Sequence, residues 1–201
     1  RLTTLINDSV LFLLDKQILL GSGTGEELNS IDSYSSEFDA TNSDAPIGAT
    51  IKDANLVDLI GAMQTQIFVL GKENGYNPDT VVVNVLDWFT LVNSYKDGDN
   101  NYMDYRIVTI NGVPTVNGMA VITSPEVAPG TCYVFDSSKG EMLVNQSFQS
   151  SIAYENDTDW ENDLVAMKAS VRANLLVEAN NENAFMKCSD IASGILAIKA
   201  S

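Results

Sequence analysis

The sequence predicts an α+β fold, and three observations carry that expectation. An amphipathic helix opens the chain, a β-branched run stands between two helical segments in the middle, and a strictly alternating segment runs through the last third. At 201 residues with 45% hydrophobic content, the chain is large enough for one domain, or two closely joined lobes, with a real core.

The opening helix is read from Leu2, Leu5, Ile6, Val10, Leu13, Leu14 and Ile18, which recur at steps of three and four and so share one apolar face. Gly21-Ser22-Gly23-Thr24-Gly25 then stops it. A glycine-rich loop raises the question of phosphate binding. That chemistry needs a strand before the loop and a helix after it, so that helix N-terminal N–H groups meet the anion, and a P-loop adds Gly-Lys-Ser/Thr. Here the helix comes first and the lysine is missing, so the loop reads as a helix terminator opening an irregular connection. Residues 29–49, rich in Ser, Asp, Asn and Ala, read as a solvated loop, with Asp32, Glu37, Asp39 and Asp44 unmatched by any base.

From Asp53, the residues Leu56, Leu59, Ile60, Met63, Ile67 and Leu70 outline a second helix that ends at Gly71. Gly75-Tyr76-Asn77-Pro78 is a turn, Thr80–Val83 a strand buried on both faces, and Leu86–Val92 a short helix. Tyr95–Met103 has the composition of a calcium loop but not its order. Counting from Asp97, glycine falls at the second position rather than the sixth, and Val108 stands where the bidentate Glu belongs. Arg106–Ile110, the Asn111-Gly112 turn, Val113–Val116 and Met119–Ile122 read as short strands joined by tight turns, and Thr131–Phe135 as another after Pro129-Gly130.

In the last third, Val165, Met167, Ala169, Val171, Ala173, Leu175 and Val177 are apolar at period two, while Lys168, Ser170, Arg172, Asn174 and Glu178 occupy alternate places. This predicts a single strand roughly 46 Å long at ~3.3 Å per residue, far beyond the usual length. Glu155, Asp157, Asp159, Glu161 and Asp163 alternate just upstream, as an acidic turn or a strand edge that resists self-pairing would.

Composition removes several function classes. Lys plus Arg number 11 against 27 for Asp plus Glu, and the net charge of −16 opposes sequence-independent binding to a nucleic-acid backbone. There is no histidine, hence no Ser-His or Cys-His nucleophile arrangement. Cys132 and Cys188 lack CxxC spacing and read as two buried free thiols. No run approaches 18 consecutive apolar residues, and the first helix lacks the basic flank and cleavage site of a signal peptide. In its absence the Asn-X-Ser/Thr sites at Asn145 and Asn156 carry no weight. Trp88 and Trp160 read as packing anchors. An enzyme would have to use Asp87, Glu178 or the 155–163 acids as acid-base or metal groups, and acids at loop-like spacing are what a surface shows by default. No catalytic, cofactor-binding or metal residue is assigned, and no cofactor is expected. A start at Arg1 rather than Met is expected of a processed product or a piece of a longer chain.

Four blocks in order resemble the major capsid proteins of tailed phages with the Hong Kong 97-type fold. They are the helix ending Lys16–Gly25 followed by Leu28–Ile31; Val81–Asn84 with Asp87-Trp88 and Lys96-Asp97; Asn111–Val116; and the long alternating strand with Arg172. The resemblance implies a spine helix and long strand in a peripheral domain, residues 1–30 and 140–178, and a mixed α/β axial domain, residues 31–139 and 179–201. It implies a structural protein, not an enzyme, that self-assembles into hexamers and pentamers of an icosahedral phage or prophage shell. That shell would enclose double-stranded DNA without specific binding and without a membrane. Scaffold, maturation protease and portal are the further partners it implies, with assembly in the bacterial host cytoplasm and residence in the virion. An encapsulin-like compartment shell and a non-assembling prophage remnant are the alternatives on the same fold.

The family's N-terminal arm and extended loop have no counterpart here, so the chain is expected to be the C-terminal portion of a subunit, weakly associated by itself. Some members crosslink a loop Lys to a strand Asn with help from a Glu. The strand region here offers Asp163 and Ser170 in those places, so crosslinking is not expected.

Overall fold

The computed structural model describes residues 2–94, 106–153 and 165–200. In chain order it contains α1 (Leu2–Leu20), α2 (Ile31–Tyr34), β1 (Ser36–Glu37), α3 (Leu56–Leu70), β2 (Thr80–Asn84), α4 (Val85–Ser94), β3 (Ile107–Ile110) and β4 (Val113–Val116). Then come β5 (Met119–Ser124), β6 (Cys132–Phe135), β7 (Gly140–Ala153), β8 (Ala166–Val177), β9 (Phe185–Cys188) and α5 (Ile191–Ile198). The chain divides into two compact units, residues 1–33 with 141–176, and 34–140 with 177–201.

The second unit is built on a seven-stranded mixed sheet in the order β1-β9-β6-β2-β5-β4-β3. The Val81–Val83 run lies in β2, parallel to β5 and antiparallel to β6, and because its side chains are buried on both faces the strand needs no polar face. Register places Val83 opposite Cys132, and Cys132 opposite Cys188. That face meets α3, where the Met63 sulfur lies 3.8 Å from Cys132 Sγ. α5 closes on the same place, and a Cβ on Gly194 would stand 2.8 Å from Cys188 Sγ, so only glycine lets this helix approach. On the opposite face Val82 and Tyr133 are buried, and Phe135 stacks on Phe185 with ring centroids 5.5 Å apart.

α3 begins at Leu56, just after Asp53 as expected, and its N-cap is Asn55. Asn55 accepts the Asp58 N–H and the Asp58 carboxylate accepts the Asn55 N–H, both at 2.9 Å, a capping box that fixes the start. Asp53 sits outside the helix with φ 52°. The same Asp58 pairs with Arg106 at 2.6 Å. The short helix expected over Leu86–Val92 begins one residue earlier, where Asn84 Oδ1 accepts the Leu86 N–H.

The expected solvated loop over residues 29–49 is corrected. It holds α2 and the edge strand β1, and it buries Ile31, Phe38, Ala40 and Ala45. Gln66 on α3, itself fully buried, donates to the carbonyls of Asp39 (2.8 Å) and Ala45 (3.0 Å) and so binds the segment to the core. Two of its acids have hydrogen-bond partners other than bases. Glu37 accepts from the Ser189 N–H and hydroxyl, and Asp39 from the Thr41 N–H and hydroxyl.

The first unit consists of α1, the glycine loop and a two-stranded sheet of β7 and β8. α1 ends where expected, with the Gly21 N–H donating to Gln17 O at 2.8 Å. The long alternating strand is β8, and its apolar side chains pass from half-buried Val171 and Ala173 to buried Leu175. Its partner β7, fourteen residues long, carries no sequence signal of comparable clarity. The first helix's apolar face differs from expectation: Ile6, Val10, Leu14 and Ile18 are half-buried, but Leu5 and Leu13 are exposed.

Candidate functional site

Of the carboxylates that could have served catalysis, Asp87 and Glu178 are among the described residues. Asp87 Oδ2 accepts the Gly130 N–H at 2.7 Å, and Glu178 is exposed before a 3-10 turn. The acids at 155–163, with Asn156 and Trp160, and the Tyr95–Met103 segment lie outside the described residues. Among the described residues no group of three or more His, Cys, Asp or Glu is placed to hold a metal ion. Asp79 is held by donors in the Ser137 N–H, the Ser137 hydroxyl and the Thr80 hydroxyl. Burial acts to raise its pKa, but these bonds outweigh it and hold the carboxyl below the usual range. It ties β2 to the turn after β6. Trp88 is half-buried, Asn145 is exposed on β7, and Ser170 on β8 lies 3.4 Å from Gln146 Nε2.

Cys132 and Cys188 are both free and buried. The sheet makes them cross-strand neighbours, a relation invisible in their spacing. The interaction with the neighbouring Cys188 sulfur, together with burial, pushes the Cys132 thiol well up. It is a packed thiol, not a nucleophile.

The glycine loop has no room for an anion chemistry of its own. Glu27 Oε2 already accepts the Ser22 N–H at 3.0 Å, and the Gly23 N–H donates to Leu28 O at 2.9 Å. Hydrogen bonding from Ser22 lowers the Glu27 pKa, so the loop carries its own carboxylate. A Cβ on Gly21 would stand 2.3 Å from Leu28 O, so this glycine permits the chain to fold back on itself.

What the structure offers instead is uncovered apolar surface. Leu5, Leu11, Phe12 and Leu13 are exposed on α1, Leu143, Val144 and Ile152 on β7, and Met167 on β8. A cavity of about 910 Å³ runs along α1 beside Leu13 and Leu14, bordered by Glu27 and by Lys168–Ala173 of β8. In the second unit Val108, Ile110 and Val113 are exposed on the β3–β4 hairpin, and Leu86 and Phe89 on α4. Monomeric proteins rarely leave so much large apolar surface in patches, which mark association sites. No helix is long and apolar enough to cross a membrane among the described residues.

Residues 19–185 match the family model described as phage capsid protein. The chain belongs to that family. No curated protein sequence matches it. Among solved structures, the capsid of an empty GTA particle computed with C5 symmetry superposes with a TM-score of 0.64 at 14% identity, over 93% of this chain and 64% of that one. A structure from Mycobacterium phage Bobi gives 0.52 at 19% identity, over 87% of this chain and 58% of that one. Phage G gp27 major capsid proteins and gp26 decoration proteins give 0.53 at 11% identity, over 88% and 59%. This capsid-family chain thus has the fold of phage capsid structures and spans less than two thirds of the length of each of these three. The mixed helix and sheet composition expected from the sequence is observed, and the capsid family indicates a structural protein.

Proposed function

We propose that this chain forms the larger part of a major capsid protein of the Hong Kong 97-type fold. Copies of it would assemble into hexamers and pentamers of a closed icosahedral shell around double-stranded DNA. The observation that carries the reading is the family match over residues 19–185. The apolar surface left open on α1 and on the β7–β8 pair supports it, because a two-stranded sheet is at best marginal in water without further packing. On this reading the first unit is the peripheral domain, with α1 as its spine, and the second is the axial domain. Head-to-tail contacts around an axis then close rings. The charge of −16 suits a wall that encloses DNA without gripping it. Scaffold, maturation protease and portal are its partners, the host cytoplasm its place of assembly and the virion its destination.

The test is electron microscopy of the gene product at its full encoded length, expressed with its neighbouring genes. Closed icosahedral particles, or sheets and tubes of hexamers, are the expected result. A discrete soluble protein that never assembles would overturn the reading.

A further inference from the structure

α4 is an amphipathic helix turned the wrong way out. Its one charged residue, Asp87, faces inward to the Gly130 N–H, alongside buried Leu91 and half-buried Trp88. At 100° per residue the outward arc runs through Val92, Val85, Phe89, Asn93, Leu86 and Thr90. None of these is charged, and Leu86 and Phe89 are 64% and 66% exposed. The two polar members each turn a donor back onto the helix: the Thr90 hydroxyl donates to Leu86 O at 2.9 Å and Asn93 Nδ2 to Phe89 O at 2.7 Å. The arc therefore offers a partner mainly carbon and no charge. The sheet beside it does not need this surface, since β2 is already packed on both faces.

We infer that the outward arc of α4 is a contact between copies of this chain, packed against a neighbouring subunit in the assembled ring. The inference rests on the shell-forming reading and names a surface that reading requires. Charge selects the occupant. Each copy carries −16, so copies repel unless they meet where charge is absent, and this arc is such a place. A basic partner would be drawn instead to the acid-rich surface. The exposed parts of Val85, Leu86, Phe89 and Val92 amount to on the order of 400 Å², about half of what one partner contributes to a standard-size interface. A contact of that size is weak between two copies and sufficient when repeated around a ring.

The test uses the full-length gene product assembled as above, comparing wild type with the Leu86→Asp, Phe89→Asp double variant. Thermal melting of each unassembled protein checks folding. The expected result is an unchanged melting curve with particle yield reduced at least tenfold. A Leu86→Cys variant gives an independent reading, because Cys132 and Cys188 are buried and give little background. Maleimide should label it rapidly in the unassembled protein and at least tenfold more slowly in particles. Wild-type particles joined by normal assembly of the double variant, or by equal labelling in both states, would overturn the inference and leave the shell reading standing. Slow labelling in the unassembled protein would show the arc covered within its own chain and overturn it as well. Failure of the wild type to form particles would overturn the shell reading and the contact with it.

Discussion

In the seven-stranded unit Ile60, Met63, Val81 and Val83 have no exposed surface, whereas in the ribbon unit Leu5, Leu13, Leu143 and Val144 stand between 44% and 58% exposed. Among the described residues of the ribbon unit, the buried hydrophobic side chains are Leu28, Ile31 and Leu175. Both units use long apolar side chains in regular elements. One spends them on its own core and the other holds them out, so the first is stabilised by folding and the second by whatever covers it. Exposed Leu and Val at this density are the mark of a surface completed by association.

The difference is sharpest under truncation. Met63→Ala removes a fully buried side chain between α3 and Cys132 and should cost about 2–5 kcal/mol. Leu13→Ala should change the stability of the unassembled protein by no more than about 0.5 kcal/mol, while lowering particle yield. Urea denaturation of both variants, followed by particle counts, checks the pair. Equal losses of stability would mean that the ribbon unit has a closed core after all.

Gln66→Leu probes the polar part of the same contrast. Gln66 holds two carbonyls of the 39–45 segment from inside the core, and removing its amide leaves them without those donors. The loss should be about 1–3 kcal/mol, partly offset because Gln66 Oε1 has no partner among the described residues. Hydrogen exchange should localise the loosening to residues 39–45. Uniform loosening of the whole sheet would place Gln66 in the general packing rather than in this tether.

How much of this was legible follows from where burial imposes a pattern. Val81–Val83 announces itself because a strand covered on both faces must be continuously apolar, and β8 because its two sides meet different surroundings. The hairpin is fixed by Asn111-Gly112, where both residues have positive φ. β7 lacks a signal of that kind: Asn145, Ser147, Gln149, Ser150 and Ser151 are exposed and Gln146 only half-buried, so polar residues fall on both faces and no clean period develops. β1 and β9 are too short for a period to develop. Helix α4 could be read from its spacing, but its orientation could not. Pattern alone turns Asp87 outward, and only the approach of Gly130 reverses that. The cysteine pair needs the sheet register before it exists.

The smallest effect concerns pH and separates the units again, because Asp79 belongs to the sheet unit. Its pKa is lowered on folding, so its bonds to Ser137 and Thr80 contribute fully above the ordinary aspartate value of 3.8 and fade as pH falls through the lower folded value. Asp79→Asn should therefore melt below wild type at pH 6, and the gap should close as pH drops from 4 toward 2. Thermal melts across that range check the sign. A gap that stays constant with pH would mean that Asp79 acts through shape and neutral hydrogen bonds alone, and that the connection between β2 and the turn after β6 owes nothing to its charge.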